Sequence, residues 1–204
     1  VLYRNEGNGR FSNVTEQAGL GSTSGQHFSA LWFDYNNDRL PDLLLTAQAP
    51  FEDVVRSLLQ VESHAQENTP RLFRNKGDGS FEELTAEVGL ERAYGTMQAL
   101  ALDVDADGWT DLLLANGSLD NHRLEPSVVL RNRQGKRFQE WFYLPDFSQP
   151  GNFLGAAVVD FNRDGAPDLS LAPNPLLSTA PAAPGLYLNL QSQRGSESSA
   201  PASS

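Results

Sequence analysis

At 204 residues and 39% hydrophobic content, the chain is long enough to bury one sizeable all-β domain or to form part of a longer repeat protein. A formal net charge of −11 argues against nucleic acid and anionic membrane surfaces, which would need a Lys/Arg face, and makes cations the better partners. With no cysteine, disulfide frameworks and thiolate metal sites are excluded, and no apolar run approaches the roughly 18–20 residues that cross a bilayer.

The chain opens with LYRNEGNGRFSNVTEQAGL, Leu2 to Leu20, which returns as LFRNKGDGSFEELTAEVGL, Leu72 to Leu90. A weaker copy, VLRNRQGKRFQEW, runs from Val129 to Trp141, and LYLN at Leu186 to Asn189 begins a fourth. Because Val1 already lies inside a recurring motif, the chain reads as a fragment, with any targeting segment upstream. The L-[YF]-R-N run predicts a strand. The turn that follows, NKGDGSF in the second copy with Gly77 and Gly79 available for positive φ, predicts a hairpin to FEELT.

Next along the chain come paired apolar runs around an acidic loop. SALWFD, QALALD and GAAVVD each end on an aspartate, and DLLLTA, DLLLAN and DLSLAP follow it. Runs this apolar predict strands buried on both faces. Arg4, Arg74 and Arg131 are 70 and 57 residues apart, and Asp34, Asp103 and Asp160 are 69 and 57 apart, so one unit holds one copy of each motif. Four short strands in such a period predict a β-propeller blade.

The chain is therefore expected to be all-β, a partial β-propeller of about three and a half four-stranded blades. It divides into a blade end at 1–20, blades at 26–90 and 95–146, a partial blade at 152–190, and a flexible Ser/Ala-rich tail at 191–204. The segment from Ala47 to Thr69 has no counterpart and is an insertion. Within it Val54, Val55, Leu58 and Leu59 recur at helical spacing between Pro50 and Pro70, predicting a short amphipathic helix whose plainest role is to pack over a blade.

The acidic loops carry the chemistry. In the second, Asp103, Asp105, Asp107 and Asp111 stand at positions 1, 3, 5 and 9, with Gly108 at position 6 for a sharp turn and the Trp109 carbonyl at position 7 as a further hard oxygen. The third loop offers Asp160, Asn162, Asp164, the Ala166 carbonyl and Asp168, with Gly165 at the turn. The first offers Asp34, Asn36, Asp38, the Leu40 carbonyl and Asp42, and Arg39 stands where the others have glycine, so this site is expected to be the weakest. An oxygen-only donor set without His or Cys points to Ca²⁺, up to three ions, rather than Zn²⁺. An EF-hand is excluded because position 12 is Leu45, Leu114 or Leu171 instead of a bidentate Glu, and because the flanks read as strands. A single such stretch can also be read as a solvated acidic turn, the less favoured reading, and three copies in register with a second motif favour ligation further.

At these residues, D-x-[DN]-x-D-G-x-x-D-L followed by L-[YF]-R-N-x-G-[DN]-G-x-F and T-x-E-x-G-L, the chain resembles the FG-GAP or VCBS repeats of integrin-α-like propellers. It looks most like the ASPIC/UnbV, cartilage acidic protein-like, repeat proteins. The resemblance implies calcium in the loops, export to the cell surface or beyond, and a role in adhesion or in protein or carbohydrate recognition. It departs from the pattern at Arg39 and at the shortened turn of Gln134 and Gly135.

The rival reading is a calcium-dependent polysaccharide lyase or hydrolase. Against it, the aspartates are engaged as ligands, and no serine-centred or Cys/His arrangement suggests a nucleophile, so the segment is read as non-catalytic. His27, His64 and His122 occupy unrelated repeat positions. Trp32 and Trp109 fall in a core strand and a metal loop, which leaves Trp141, in WFYLP, as the candidate for recognition, with packing the favoured reading. Arg4, Arg74 and Arg131 recur at one strand position and predict a shared structural bond.

Overall fold

The computed structural model describes residues 1–21, 25–59, 68–118, 125–141, 153–173 and 185–187. Their strands are β1 (Tyr3–Gly7), β2 (Arg10–Asn13), β3 (His27–Phe33), β4 (Asp42–Ala47), β5 (Arg71–Asn75), β6 (Phe81–Glu83), β7 (Thr96–Leu102), β8 (Asp111–Asn116), β9 (Val128–Asn132), β10 (Phe138–Glu140), β11 (Phe153–Val159), β12 (Asp168–Pro173) and β13 (Gly185–Tyr187), with helix α1 (Phe51–Leu58) between β4 and β5. Sequential antiparallel pairing builds the sheets β1-β2, β3-β4-β5-β6, β7-β8-β9-β10 and β11-β12-β13. This is an all-β arc of propeller blades, two of them complete, as the repeat predicts. The aromatic residues beyond Trp141, Phe142 and Tyr143, and the tail at 191–204 lie outside the described residues, as do His64 and His122.

The continuous apolar runs of β4 and β8 exist because these second strands are covered on both faces, with successive side chains pointing to opposite neighbours. Leu43 packs with Phe73 against Ala18 and Leu20 of the preceding unit. Leu44, one residue on, packs with Leu72 and Phe33 against Leu112, Leu114 and Phe138 of the following blade. Leu113 and Val129 repeat the pattern against Leu169 and Leu171. Burial of each such side chain is worth about 1.5–3 kcal/mol.

The T-x-E-x-G-L motif clasps successive blades. Thr15 and Thr85 take the N–H of Leu2 and Leu72 on their hydroxyls, at 2.8 and 3.1 Å, closing the turn onto its own strand. Left-handed Gly19 and Gly89, at φ 79° and 75°, then turn the chain so that the Ala18 and Val88 carbonyls accept from Phe81 and Phe138 of the next blade, at 2.9 and 2.8 Å.

Two expectations are corrected. Trp32 lies in an inner strand but is 45% exposed, because its face points toward a preceding sheet that consists of β1 and β2 and does not extend over it. In α1 only Val54 of the apolar stripe is buried, packed with Ala49 and Ala93, while Leu58 and Leu59 are exposed. Ser57 holds the helix down instead, accepting the Ala93 N–H at 3.0 Å.

Candidate metal centre

Each acidic loop joins the first two strands of a blade, β3-β4, β7-β8 and β11-β12. Two left-handed residues curl it. Position 6 is Arg39, Gly108 or Gly165, at φ 70°, 85° and 88°, and position 4 is Asn37, Ala106 or Arg163, at φ 58°, 56° and 60°. The sequence pattern exposed the first and missed the second, because nothing at position 4 is glycine.

That curl turns consecutive N–H groups inward, where they meet the first carboxylate. Asp103 accepts from Asp107 N–H at 3.1 Å and Gly108 N–H at 2.9 Å. Asp34 accepts from Asp38 and Arg39 at 3.2 and 2.7 Å, and Asp160 from Asp164 and Gly165 at 3.0 Å each. The position-5 carboxylates of Asp38, Asp107 and Asp164 accept the N–H of Leu40, Trp109 and Ala166, at 2.8, 3.0 and 2.9 Å.

The last carboxylate is the most buried. Asp42, Asp111 and Asp168 are fully buried. Asp111 takes the N–H of Val104 at 3.0 Å and of Asn132 in β9 at 2.7 Å; Asp42 takes Tyr35 at 3.2 Å and Asn75 in β5 at 2.8 Å; Asp168 takes Phe161 at 2.9 Å. Burial pushes the Asp42 and Asp111 carboxyls up to about 6, although the backbone donors pull the other way. Burial disfavours the charged form, so a cation at that position would keep these carboxylates ionised.

Among the described residues, the acidic side chains whose oxygens converge within 4.8 Å of one another are Asp103, Asp105 and Asp111. Both carboxylate oxygens of Asp105 are buried; Oδ2 is met by Arg131 in an ion pair, and Oδ1 has no hydrogen-bond partner. A buried carboxylate with an unsatisfied oxygen beside two others is a donor set that fits a hard divalent cation. Position 3 in the other loops is an amide, and there Asn36 and Asn162 donate to the position-5 carboxylates of Asp38 and Asp164, at 2.8 and 2.9 Å.

The asparagine that follows Arg4, Arg74 and Arg131 stands in the L-[YF]-R-N motif or its weaker copy, but its spacing gives no hint of its role. Asn132 is 1% exposed, and its amide donates to Thr110 O at 2.9 Å and across the blade boundary to Tyr35 O at 2.7 Å. Nearby, Asn37 donates to Gly108 O at 3.0 Å, so loops one and two touch.

Four-stranded antiparallel blades with an acidic loop at the first hairpin define a propeller-type repeat protein. The FG-GAP-like repeat pattern matches residues 1–45, 53–114 and 103–170, most of the chain, and the chain belongs to that family. Over 101 residues it is 34% identical to cartilage acidic protein 1 of Xenopus tropicalis, a match covering 48% of this chain and 15% of that protein. The chain thus spans a small part of its relative's length.

Proposed function

We propose that this chain is a calcium-binding, non-catalytic scaffold segment of a secreted or cell-surface protein, serving adhesion or the recognition of an extracellular protein or glycan. The observation that carries it is the convergence of Asp103, Asp105 and Asp111, with Asp105 Oδ1 buried and without a hydrogen-bond partner. The ligand sets are those of the three loops: Asp34, Asn36, Asp38, Leu40 and Asp42; Asp103, Asp105, Asp107, Trp109 and Asp111; Asp160, Asn162, Asp164, Ala166 and Asp168. Calcium supplies positive charge to carboxylates that otherwise meet N–H dipoles and, at Asp105, the Arg131 guanidinium. Through Asp111 it braces the β7-β8 hairpin and, by the Asn132 N–H, the third strand. Extracellular placement rests on the family and on the similarity to cartilage acidic protein 1.

Isothermal titration with calcium tests the reading, and uptake of up to three ions is the expected result. Because the ion binds the folded form, a hundredfold excess over Kd raises stability by about 2.7 kcal/mol, read as a higher Tm that a chelator reverses. A titration without heat, together with a Tm indifferent to millimolar calcium, rejects the reading. Glycan arrays and pull-downs from matrix extracts separate carbohydrate from protein recognition, and turnover assays on acidic polysaccharides test the lyase or hydrolase alternative.

A further inference from the structure

Arg4, Arg74 and Arg131 share one strand position, yet their charges go to different places. Arg4 bonds Glu6 at 2.8 Å, and Arg74 reaches Glu82, its direct partner across the β5-β6 hairpin. The residue opposite Arg131 in the β9-β10 hairpin is Gln139, which already accepts from Arg133 at 2.9 Å. Lacking a hairpin acid, Arg131 turns to the loop and forms an ion pair with Asp105, standing 3.6 Å from Asp107 as well. The substitutions are complementary: this blade has a carboxylate at loop position 3, where the other loops have Asn36 and Asn162, and an amide at the hairpin position, where blade one has Glu82.

The pair is poorly made. Arg131 Nη2 meets Asp105 Oδ2, but Asp105 Oδ1 has no hydrogen bond, although the side chain is 6% exposed, and the Arg131 Nε is also buried without a partner. A settled structural ion pair satisfies its donors and acceptors, whereas this one leaves both partners wanting. The Arg131 guanidinium also lies over the Trp141 ring, 5.3 Å from its centroid, which offers it a second place to rest.

We propose that Arg131 is a tethered cation that competes with the divalent ion for Asp105, so that the affinity of the second loop is set by a side chain outside the loop. In the ion-free state Arg131 neutralises one of this loop's four carboxylates, leaving three, the number that each other loop carries alongside an arginine of its own, Arg39 or Arg163. When Asp105 turns to ligation, Arg131 yields it and keeps its contact with Trp141. The inference rests on the calcium reading above.

Calorimetric calcium titration of the full chain tests it, with wild type beside Arg131→Gln, Gln139→Glu, Asp105→Asn and the Asp105→Asn/Arg131→Gln double variant. Arg131→Gln is expected to tighten one site by about tenfold, the scale of removing one competing unit charge in a partly screened site. Gln139→Glu, which recreates the blade-one pair and keeps the arginine, tightens the same site, and it carries the test should Arg131→Gln fail to fold. In the Asp105→Asn background the Arg131 substitution changes nothing. Calcium also alters the Trp141 emission, identified by its loss in Trp141→Phe, and does not in Arg131→Gln. A merely structural Arg131 gives the opposite result, with looser binding in both single variants, and that outcome overturns the inference while leaving the calcium reading intact. An equal gain in the Asp105→Asn background reveals a general charge effect and also overturns it. No uptake by any variant, wild type included, removes the calcium reading and this inference with it.

Discussion

Arg39 holds a left-handed φ of 70° where the other two loops have glycine, and its side chain is exposed, so the residue contributes strain without packing. Arg39→Gly relieves that strain and is expected to raise stability by up to about 1 kcal/mol, after the added freedom of the unfolded chain is subtracted. The same variant should tighten calcium at the first loop, and thermal unfolding with and without calcium checks both effects. Glu83 shows a different residue-scale device. The Arg71 guanidinium, which binds it through two nitrogens, holds its carboxyl below the usual carboxylate range, although burial opposes this. A depressed folded pKa contributes stability that is present above the unfolded value of about 4.3 and is lost as pH falls through the lower folded value. The Glu83 side chain is 37% exposed, so the loss is expected to be about 0.5 kcal/mol. Glu83→Gln should erase that acid-side step, and urea unfolding between pH 3 and 6 measures it.

At the scale of elements, the strongest joint is the one Asn132 makes between β9, the second loop and the first loop. Asn132→Ala leaves the buried Tyr35 carbonyl and the partly buried Thr110 carbonyl without their donors. Such orphaned groups cost about 1–3 kcal/mol each. Asn75→Ala, whose side chain donates to the more exposed Pro41 carbonyl at 3.0 Å, is expected to cost less. Denaturant unfolding of the two variants ranks them, and a larger loss at Asn75 contradicts the joint. Gly135 belongs to the same junction, since a Cβ there would stand 2.9 Å from the Trp109 ring and 3.0 Å from the Asn36 Cα. The shortened third hairpin turn therefore brings the β9-β10 hairpin close against both loops.

Across the whole molecule, stability comes from faces shared between blades. Leu72 is fully buried in the cluster that joins the two complete sheets, whereas Leu58 projects from α1 with 47% of its surface exposed. Leu72→Ala is expected to cost about 2–5 kcal/mol, and Leu58→Ala no more than about 0.5 kcal/mol. Equal Tm shifts would mean that the insertion helix, and not the blade interface, organises the core. The stacking also accounts for exposed Phe161. It occupies the repeat position of Tyr35 and Val104, which are buried against the blade that follows them.

The repeat, the strand pairs and the acidic loops were legible from residue types alone, because alternation, turn glycines and the Asp spacing are local and each recurs. Even the strain at Arg39 could be read from its register with Gly108 and Gly165. The left-handed position 4 could not, since Asn37, Ala106 and Arg163 share no side-chain feature and are held there by N–H groups turning to the first aspartate. Nor could the exposure of Trp32, the burial of Val54 in preference to Leu58, or the convergence of Asp105 with Asp103 and Asp111, all of which depend on what the neighbouring sheet covers. Arg131 shows the division most plainly. Its recurrence with Arg4 and Arg74 was visible in the chain, but its partner was decided in three dimensions, where the amide of Gln139 offers no charge and the carboxylate of Asp105 lies within reach.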